Sequence, residues 1–192
     1  CGINVFVGAG FSTLAKDKHG KTLPLGAELC EELKHKFNKS ANVSLPQLAT
    51  MLEASVKTDF YTYLKDRFTI GTYDPLYKNL SKINVKSYYT TNIDDLFFRI
   101  YENTDKSFYL NDCSIMGESY NDDLAVHYYP LHGCIRNGSN YVFGATEIAS
   151  AFSQRGNEKS WKSLAIDAAK LRVSCPATRK AMVATAAISI KR

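Results

Sequence analysis

The sequence predicts an α/β fold built on a parallel sheet, and three observations support this prediction. Short runs rich in β-branched and aromatic residues alternate with amphipathic segments at helical spacing. The first run, Ile3 to Val7, reads "INVFV" and ends at Gly8, which is typical of a buried parallel strand. The later runs end at a polar cluster or a glycine, where a strand gives way to a loop.

The segment after the first strand is predicted to be helical. Leu25, Leu29, Leu33 and Phe37 recur at i, i+4 spacing, and Pro24 suits a helix start, so we expect a helix over 24–37. Apolar periodicity predicts three further helices, over residues 45–56, 59–68 and 74–83. A helical insert of about residues 24–83 therefore separates the first strand from the second.

The second half of the chain returns to alternating strands and helices. We expect strands over 85–92, 107–112 and 125–133, a helix over 93–102, a hairpin or loop over 136–144 and a helix opening over 146–152. This order predicts a Rossmann-like parallel sheet.

The charge of the chain is unevenly distributed. The formal net charge is +5, but residues 151–192 carry nine Lys/Arg and two Asp/Glu, and residues 1–150 carry 15 and 17. The larger part is thus slightly acidic, without the basic stripe of a nucleic-acid footprint, and we expect no direct nucleic-acid partner. Apolar runs fall short of the roughly 20 residues of a membrane span, so we expect no membrane partner.

The five cysteines are Cys1, Cys30, Cys113, Cys134 and Cys175, and none forms a CxxC pair. An odd number of scattered cysteines favours neither a zinc ribbon nor a disulfide framework. We therefore expect reduced thiols, no bound metal and a cytoplasmic location.

The composition changes after Trp161, where aromatic residues end and Ala, Ser, Lys and Arg dominate. We expect one domain over residues 1–158 and a basic tail over 159–192. The tail is either helical or not the natural continuation of the domain. Because the chain starts without Met, one residue before the first strand, we expect a fragment of a longer protein.

The turn "VGAGFS" after the first strand is the first candidate binding site. A glycine there can adopt positive φ, and a missing Cβ lets the backbone approach a ligand. Backbone N–H groups at the start of a following helix favour a phosphate. The pattern is not G-x-G-x-x-G, so a plain turn stays open as the alternative.

Two more candidate sites follow predicted strands. "TTNIDDL" places Thr91, Asn92 and Asp94 between a strand and a helix, at the edge where open α/β sheets bind ligands. Helix capping is the alternative for these polar residues. "LHG" places His132 at the end of another strand, where a structural histidine is the alternative.

Together "VGAGFS", "TTNIDDL" and "LHG", in this order and at these separations, resemble the sirtuin superfamily over residues 3–155. The chain departs from the protein deacylases of that superfamily. It lacks their Gly-Ile-Pro-Asp-Phe-Arg-type segment and four-cysteine ribbon, and it has Thr91 in place of glutamine. "LPLGAEL" and "TTNIDDLF" look like the sirtuin-like domains of bacterial antiphage defence proteins.

The resemblance implies NAD as the substrate, hydrolysed at the nicotinamide–ribose bond to deplete NAD during infection, with no metal. It implies that Asn92 orients the ribose or a water and that His132 is the general base. It also implies NAD contacts at Gly8, Ala9, Gly10, Phe11, Ser12, Thr91, Asn92 and Asp94, with Asp94 at the nicotinamide carboxamide. A C-terminal sensor or oligomerisation domain and a homo-oligomer are implied partners.

Two alternatives remain open. The domain is a non-catalytic sensor of NAD or ADP-ribose, or, less favoured, an NAD-dependent deacylase. The family's later strand with a Gly-Thr/Tyr-Ser-type motif, which contacts adenosine, has no clear counterpart after Phe152.

Overall fold

A computed structural model describes residues 3–40, 42–102, 108–115, 122–137, 141 and 143. The strands within these residues are β1 (Ile3–Val7), β2 (Ala15–Asp17), β3 (Ile70–Tyr73), β4 (Val85–Thr90), β5 (Tyr109–Asp112) and β6 (Ala125–Pro130). Four of them form a parallel sheet in the order β1-β4-β6-β5. The predicted α/β fold with a Rossmann-like parallel sheet is therefore confirmed.

In the described part of the chain, three α-helices lie between the strands: α1 (Gly26–Lys36), α2 (Leu45–Phe68) and α3 (Leu96–Glu102). Short 3₁₀ helices span Ala9–Ser12, Pro75–Lys82 and Ile135–Asn137. The predicted helices over 24–37 and 93–102 each begin later than expected, because Pro24 and the polar residues before Leu96 belong to loops.

The insert differs from its prediction in three respects. The helices expected over 45–56 and 59–68 are joined in α2, which is kinked at Val56 (φ −142°, ψ 43°). The Tyr61 hydroxyl spans this kink and donates a 2.8 Å hydrogen bond to Glu53. The segment expected over 74–83 is a 3₁₀ helix, and the insert includes a strand, β3, which pairs antiparallel with β2.

A buried ion network fixes the insert against the strand pair. The Arg67 guanidinium, only 5% exposed, donates to both carboxylate oxygens of Glu32 (2.9 and 3.1 Å), to Asp17 (2.9 Å) and to the Thr22 carbonyl (2.6 Å). These contacts join α2 to α1 and to β2. Burial alone would raise the pKa of Glu32, but hydrogen bonds from Arg67, Lys21 and Tyr63 lower it to about 2.

Aromatic side chains fill the contact between α3 and the sheet. Phe97 lies 4.4 Å from Tyr88 and 5.5 Å from Tyr128, measured between ring centroids, and all three side chains are buried. On neighbouring strands Tyr89 and Tyr129 are paired in register and stack at 4.6 Å. This packing holds β4 and β6 side by side, and with them the loops that follow their ends.

Some predictions fall outside the described residues: the helix over 146–152, most of the loop over 136–144, the boundary at 158 and the basic tail. Cys30, Cys113 and Cys134 are buried free thiols. Within the described residues, every helix is too short or too polar to span a bilayer.

Candidate functional site

The carboxyl ends of β1, β4 and β6 lie next to one another. The register aligns Val7 with Thr90 and Thr90 with Pro130, the last residues of the three strands. The connections continue beyond the strands, since Thr91 donates its N–H to the Val7 carbonyl (3.3 Å) and Leu131 donates to Thr90 (2.8 Å). The three sequence motifs therefore follow directly from one edge of the sheet, as expected of ligand sites in such folds.

The loops after β4 and β6 are also tied to each other. The N–H of Ile135 donates to the Ile93 carbonyl (2.9 Å), and the Cys134 thiol lies 3.7 Å from the Asp94 carbonyl. Gly133 turns the chain between them with φ +82°, a conformation that a glycine adopts without strain. The glycine of "LHG" therefore has a backbone role, and it places His132 at the site.

A hydrogen-bonded chain joins the first and second motifs. The Ser12 hydroxyl donates to Asp94 Oδ2 at 2.7 Å and accepts a 2.9 Å hydrogen bond from Asn92 Nδ2. All three side chains are buried. Residues 80 or more positions apart thus form one polar cluster at the sheet edge.

Among the described residues, one side-chain polar atom of Asn92 has no hydrogen-bond partner. Its Oδ1 is buried and accepts no hydrogen bond from the described residues, although the residue is only 8% exposed. The Asn92 backbone N–H, by contrast, donates to Thr90 Oγ1 at 2.9 Å. A buried acceptor without a partner costs folding free energy, so Oδ1 fits a ligand that brings an O–H or N–H donor.

The two acids of "IDDL" have different roles. Asp94 accepts from the Leu96 N–H (3.1 Å) as well as from Ser12, so it caps the start of α3 and belongs to the polar cluster. Asp95 accepts from the Ile70 N–H (2.7 Å) and from Arg99, and it anchors α3 to β3. The capping alternative is therefore correct in part.

Burial changes the protonation of both titratable groups at the site. Burial, opposed by the hydrogen bonds from Ser12 and Leu96, raises the pKa of Asp94 to about 6. Burial lowers the pKa of His132 below its usual value. At neutral pH Asp94 is therefore mostly ionised and His132 mostly neutral, which suits a proton acceptor.

These side chains line one cavity of about 260 Å³. Of the predicted site residues, it brings together Ala9, Ser12, Thr91, Asn92, Asp94 and His132. Gly8, Gly10 and Phe11 are not among its lining residues. One pocket thus collects residues from all three motifs.

The opening turn differs from the expected phosphate cradle. Gly8 is extended (φ −127°), and it is followed by a 3₁₀ turn, Ala9–Ser12, and not by the start of an α-helix. The Phe11 N–H donates to the Gly8 carbonyl, and the Phe11 ring stacks on Phe97 at 5.1 Å. The Phe11 carbonyl also accepts a hydrogen bond from the Tyr77 hydroxyl, so the ring and both backbone groups of Phe11 have partners within the protein. A Cβ on Gly10 would meet no heavy atom within 4 Å, so the space beside it is open.

Most of the other residues that line the pocket were missed by sequence reasoning. They are mostly apolar and belong to the insert, to the residue just before it or to the chain after β6: Leu23, Pro24, Gly26, Leu29, Leu45, Pro46, Phe68 and Phe143. Their apolar character was visible in the sequence, but the same pattern describes an ordinary core. Only tertiary packing distinguishes the two.

Among the described residues, no group of three or more His, Cys, Asp or Glu side chains is placed to hold a metal ion. Comparison with models of known protein families and with curated proteins found no match for this chain.

Proposed function

We propose that this domain binds NAD and hydrolyses its nicotinamide–ribose bond. The observation that carries the proposal is the convergence of Ser12, Asn92, Asp94 and His132 on one pocket at the carboxyl edge of a parallel sheet. The sequence motifs that contain these residues resemble the sirtuin superfamily. A buried acceptor that has no partner in the described part of the chain and a neutral histidine that lines the same pocket fit this chemistry.

The reaction consumes water and yields nicotinamide, ADP-ribose and a proton. Cleavage of the bond between C1′ and the ring nitrogen passes through an oxocarbenium-like state, as in glycoside hydrolysis. An ionised Asp94, itself only 4% exposed, stabilises positive charge more strongly than a carboxylate in water would. His132 accepts the proton from the attacking water, and Asn92 orients the water or a ribose hydroxyl.

The size of the pocket supports binding of one half of the dinucleotide inside it. Pockets that hold drug-sized ligands measure roughly 300–1,000 Å³. A cavity of about 260 Å³ suits the nicotinamide and its ribose, with the apolar wall of the insert against the ring. The adenosine side would then lie towards the open space beside Gly10.

The biological role follows from the resemblance alone and is part of the proposal. NAD depletion would serve antiviral defence in the cytoplasm, with a sensor or oligomerisation domain in the full protein controlling the activity. A non-catalytic sensor of NAD or ADP-ribose is the second candidate. Ser12, Asn92 and Asp94 are joined by hydrogen bonds and line the pocket, and such a polar cluster can bind a ligand without catalysing a reaction.

Nicotinamide release from NAD, measured by chromatography on the full-length natural protein, tests the proposal. We expect release by the wild type and a loss of at least about 100-fold in His132→Ala, since general base catalysis contributes about 10²–10⁴-fold. His35→Ala is the matched control, because His35 is exposed on α1, and it should retain activity.

The outcomes separate the two candidates. NAD that raises the melting temperature without nicotinamide release would favour the sensor and contradict hydrolysis. Equal activity of His132→Ala and the wild type would contradict the assigned base.

A further inference from the structure

We propose that Ser12 is a positioning residue, which fixes the side-chain amide of Asn92 so that its oxygen, not its nitrogen, is offered to the occupant of the pocket. The inference rests on the proposed function for the ligand, but its physical basis is the hydrogen-bonded chain of Ser12, Asn92 and Asp94.

Counting donors and acceptors shows which group donates in each hydrogen bond between Ser12, Asn92 and Asp94. A serine hydroxyl has one hydrogen to donate, and an ionised carboxylate can only accept. Ser12 therefore donates its hydrogen to Asp94 at 2.7 Å and can only accept from Asn92. The Asn92 group 2.9 Å from Ser12 Oγ must then be the NH₂ group. Oδ1 is left on the other side of the amide without a partner among the described residues.

The fixed amide selects the ligand chemistry. Asn92 lines the pocket, and its remaining side-chain atom, the buried Oδ1, is an acceptor, so a ligand group that makes contact with Oδ1 is favoured when it carries a hydroxyl or N–H. Sugar hydroxyls meet this requirement. A ligand group that can only accept would face a second acceptor and leave both without a partner.

Replacement of Asp94 by asparagine should reverse the direction of the hydrogen bonds that join Ser12, Asn92 and residue 94. The new amide oxygen at position 94 keeps the hydrogen bond from Leu96, and the new NH₂ group then donates to Ser12. Ser12 must donate its hydrogen elsewhere, and a rotated Asn92 amide supplies the acceptor. The Asn92 NH₂ group would then take the place of the oxygen. Asp94→Asn therefore exchanges an acceptor for a donor at the site.

A second substitution should restore the original direction. In the double variant Asn92→Asp, Asp94→Asn, the carboxylate and the amide have changed places around Ser12. The hydroxyl donates to the carboxylate at position 92 and accepts from the amide at position 94. The other carboxylate oxygen at position 92 is again an acceptor for the pocket.

The ligand experiment compares ADP-ribose binding by calorimetry in the wild type, both single variants and the double variant. We expect Asp94→Asn to bind at least about tenfold more weakly, and the double variant to bind more tightly than Asp94→Asn. A double variant that binds no better than Asp94→Asn would overturn the proposal, because the direct loss of the Asp94 carboxylate would explain the result. Asp59→Asn, on the exposed face of α2, is the control.

A ligand-free experiment keeps the test independent of the proposed function. In protein labelled with ¹⁵N-asparagine, the Asn92 side-chain signals are assigned by their loss in Asn92→Asp. We expect slow solvent exchange of these amide protons in the wild type and severalfold faster exchange in Ser12→Ala and Asp94→Asn. Exchange at the wild-type rate in both variants would overturn the positioning role, whether or not NAD is the substrate.

Discussion

The Ser12 hydroxyl donates a 2.7 Å hydrogen bond to the carboxylate of Asp94, across 82 residues of sequence. This contact joins the loop after β1 to the loop after β4 in a buried environment. It also orders Asn92, which follows in the same chain of hydrogen bonds. The site is therefore built from the packing of two strand ends, and its polar groups depend on each other.

The burial of Asp94 predicts a pH dependence of stability. Its pKa of about 6 in the folded state lies above 3.8, the ordinary value of an aspartate in an unfolded chain. The folded state therefore holds this proton more tightly than the unfolded state. The contribution to stability is complete below pH 3.8 and is lost as pH rises through about 6, a change on the order of 3 kcal/mol by pH 7. Asp94→Asn should remove this loss.

Urea unfolding of wild type and Asp94→Asn between about pH 4 and pH 8 measures the effect, since this range brackets the titration. The unfolding free energy of Asp94→Asn should increase relative to that of the wild type as pH rises. The same comparison with Asp59→Asn, at an exposed position, should stay flat. A flat difference for Asp94→Asn would contradict the buried, ionisable Asp94 described here.

The Arg67 network predicts a large loss of stability on truncation. Arg67→Met leaves the carboxylates of Asp17 and Glu32 without their main partner, and Asp17 is only 3% exposed. Breaking a buried pair on one side costs about 3–5 kcal/mol. We expect the melting temperature to fall by roughly 10 °C, given about 2–4 °C per kcal/mol for a chain of this size. Lys65→Met, exposed on the same helix, should change little.

Two glycines should respond differently to alanine. A Cβ on Gly71 would lie 2.6 Å from the Asp17 carbonyl oxygen and 2.8 Å from Lys18 Cα, where β3 meets β2. Because both neighbours are backbone atoms, Gly71→Ala should cost about 1–3 kcal/mol. Gly10→Ala meets open space and should leave unfolding almost unchanged. Equal denaturation midpoints for the two variants would contradict this strand pairing.

The sequence predicted the sheet because its strands carry the signal locally. Val85 to Thr90 and Ala125 to Pro130 are compact β-branched and aromatic runs, and polar residues mark their ends. The strand pair β2–β3 was missed because segments of three and four residues have no readable alternation. The contacts that surround this pair are also distant in sequence, such as Arg67 with Asp17, 50 residues apart.

For the candidate site, as for the sheet, the sequence predicted the positions of the strand ends but not the contacts between distant residues. Strand ends placed Asn92 and His132 at one edge, but adjacent acids in "DD" cannot be assigned from sequence. Only packing shows that Asp94 joins the polar cluster while Asp95 anchors α3 to Ile70. Likewise, Phe68 and Leu29 have the pattern of ordinary core residues, and the fold alone brings them to the pocket.

The most direct measurement of the central claim is the product balance from NAD with wild type and Asn92→Ala. We expect the wild type to release nicotinamide and ADP-ribose in equal amounts, and Asn92→Ala to release neither at a comparable rate. Asn79→Ala, exposed in the 3₁₀ helix before β4, should behave as the wild type. Nicotinamide release that is absent from the wild type, or unchanged in Asn92→Ala, would contradict the account.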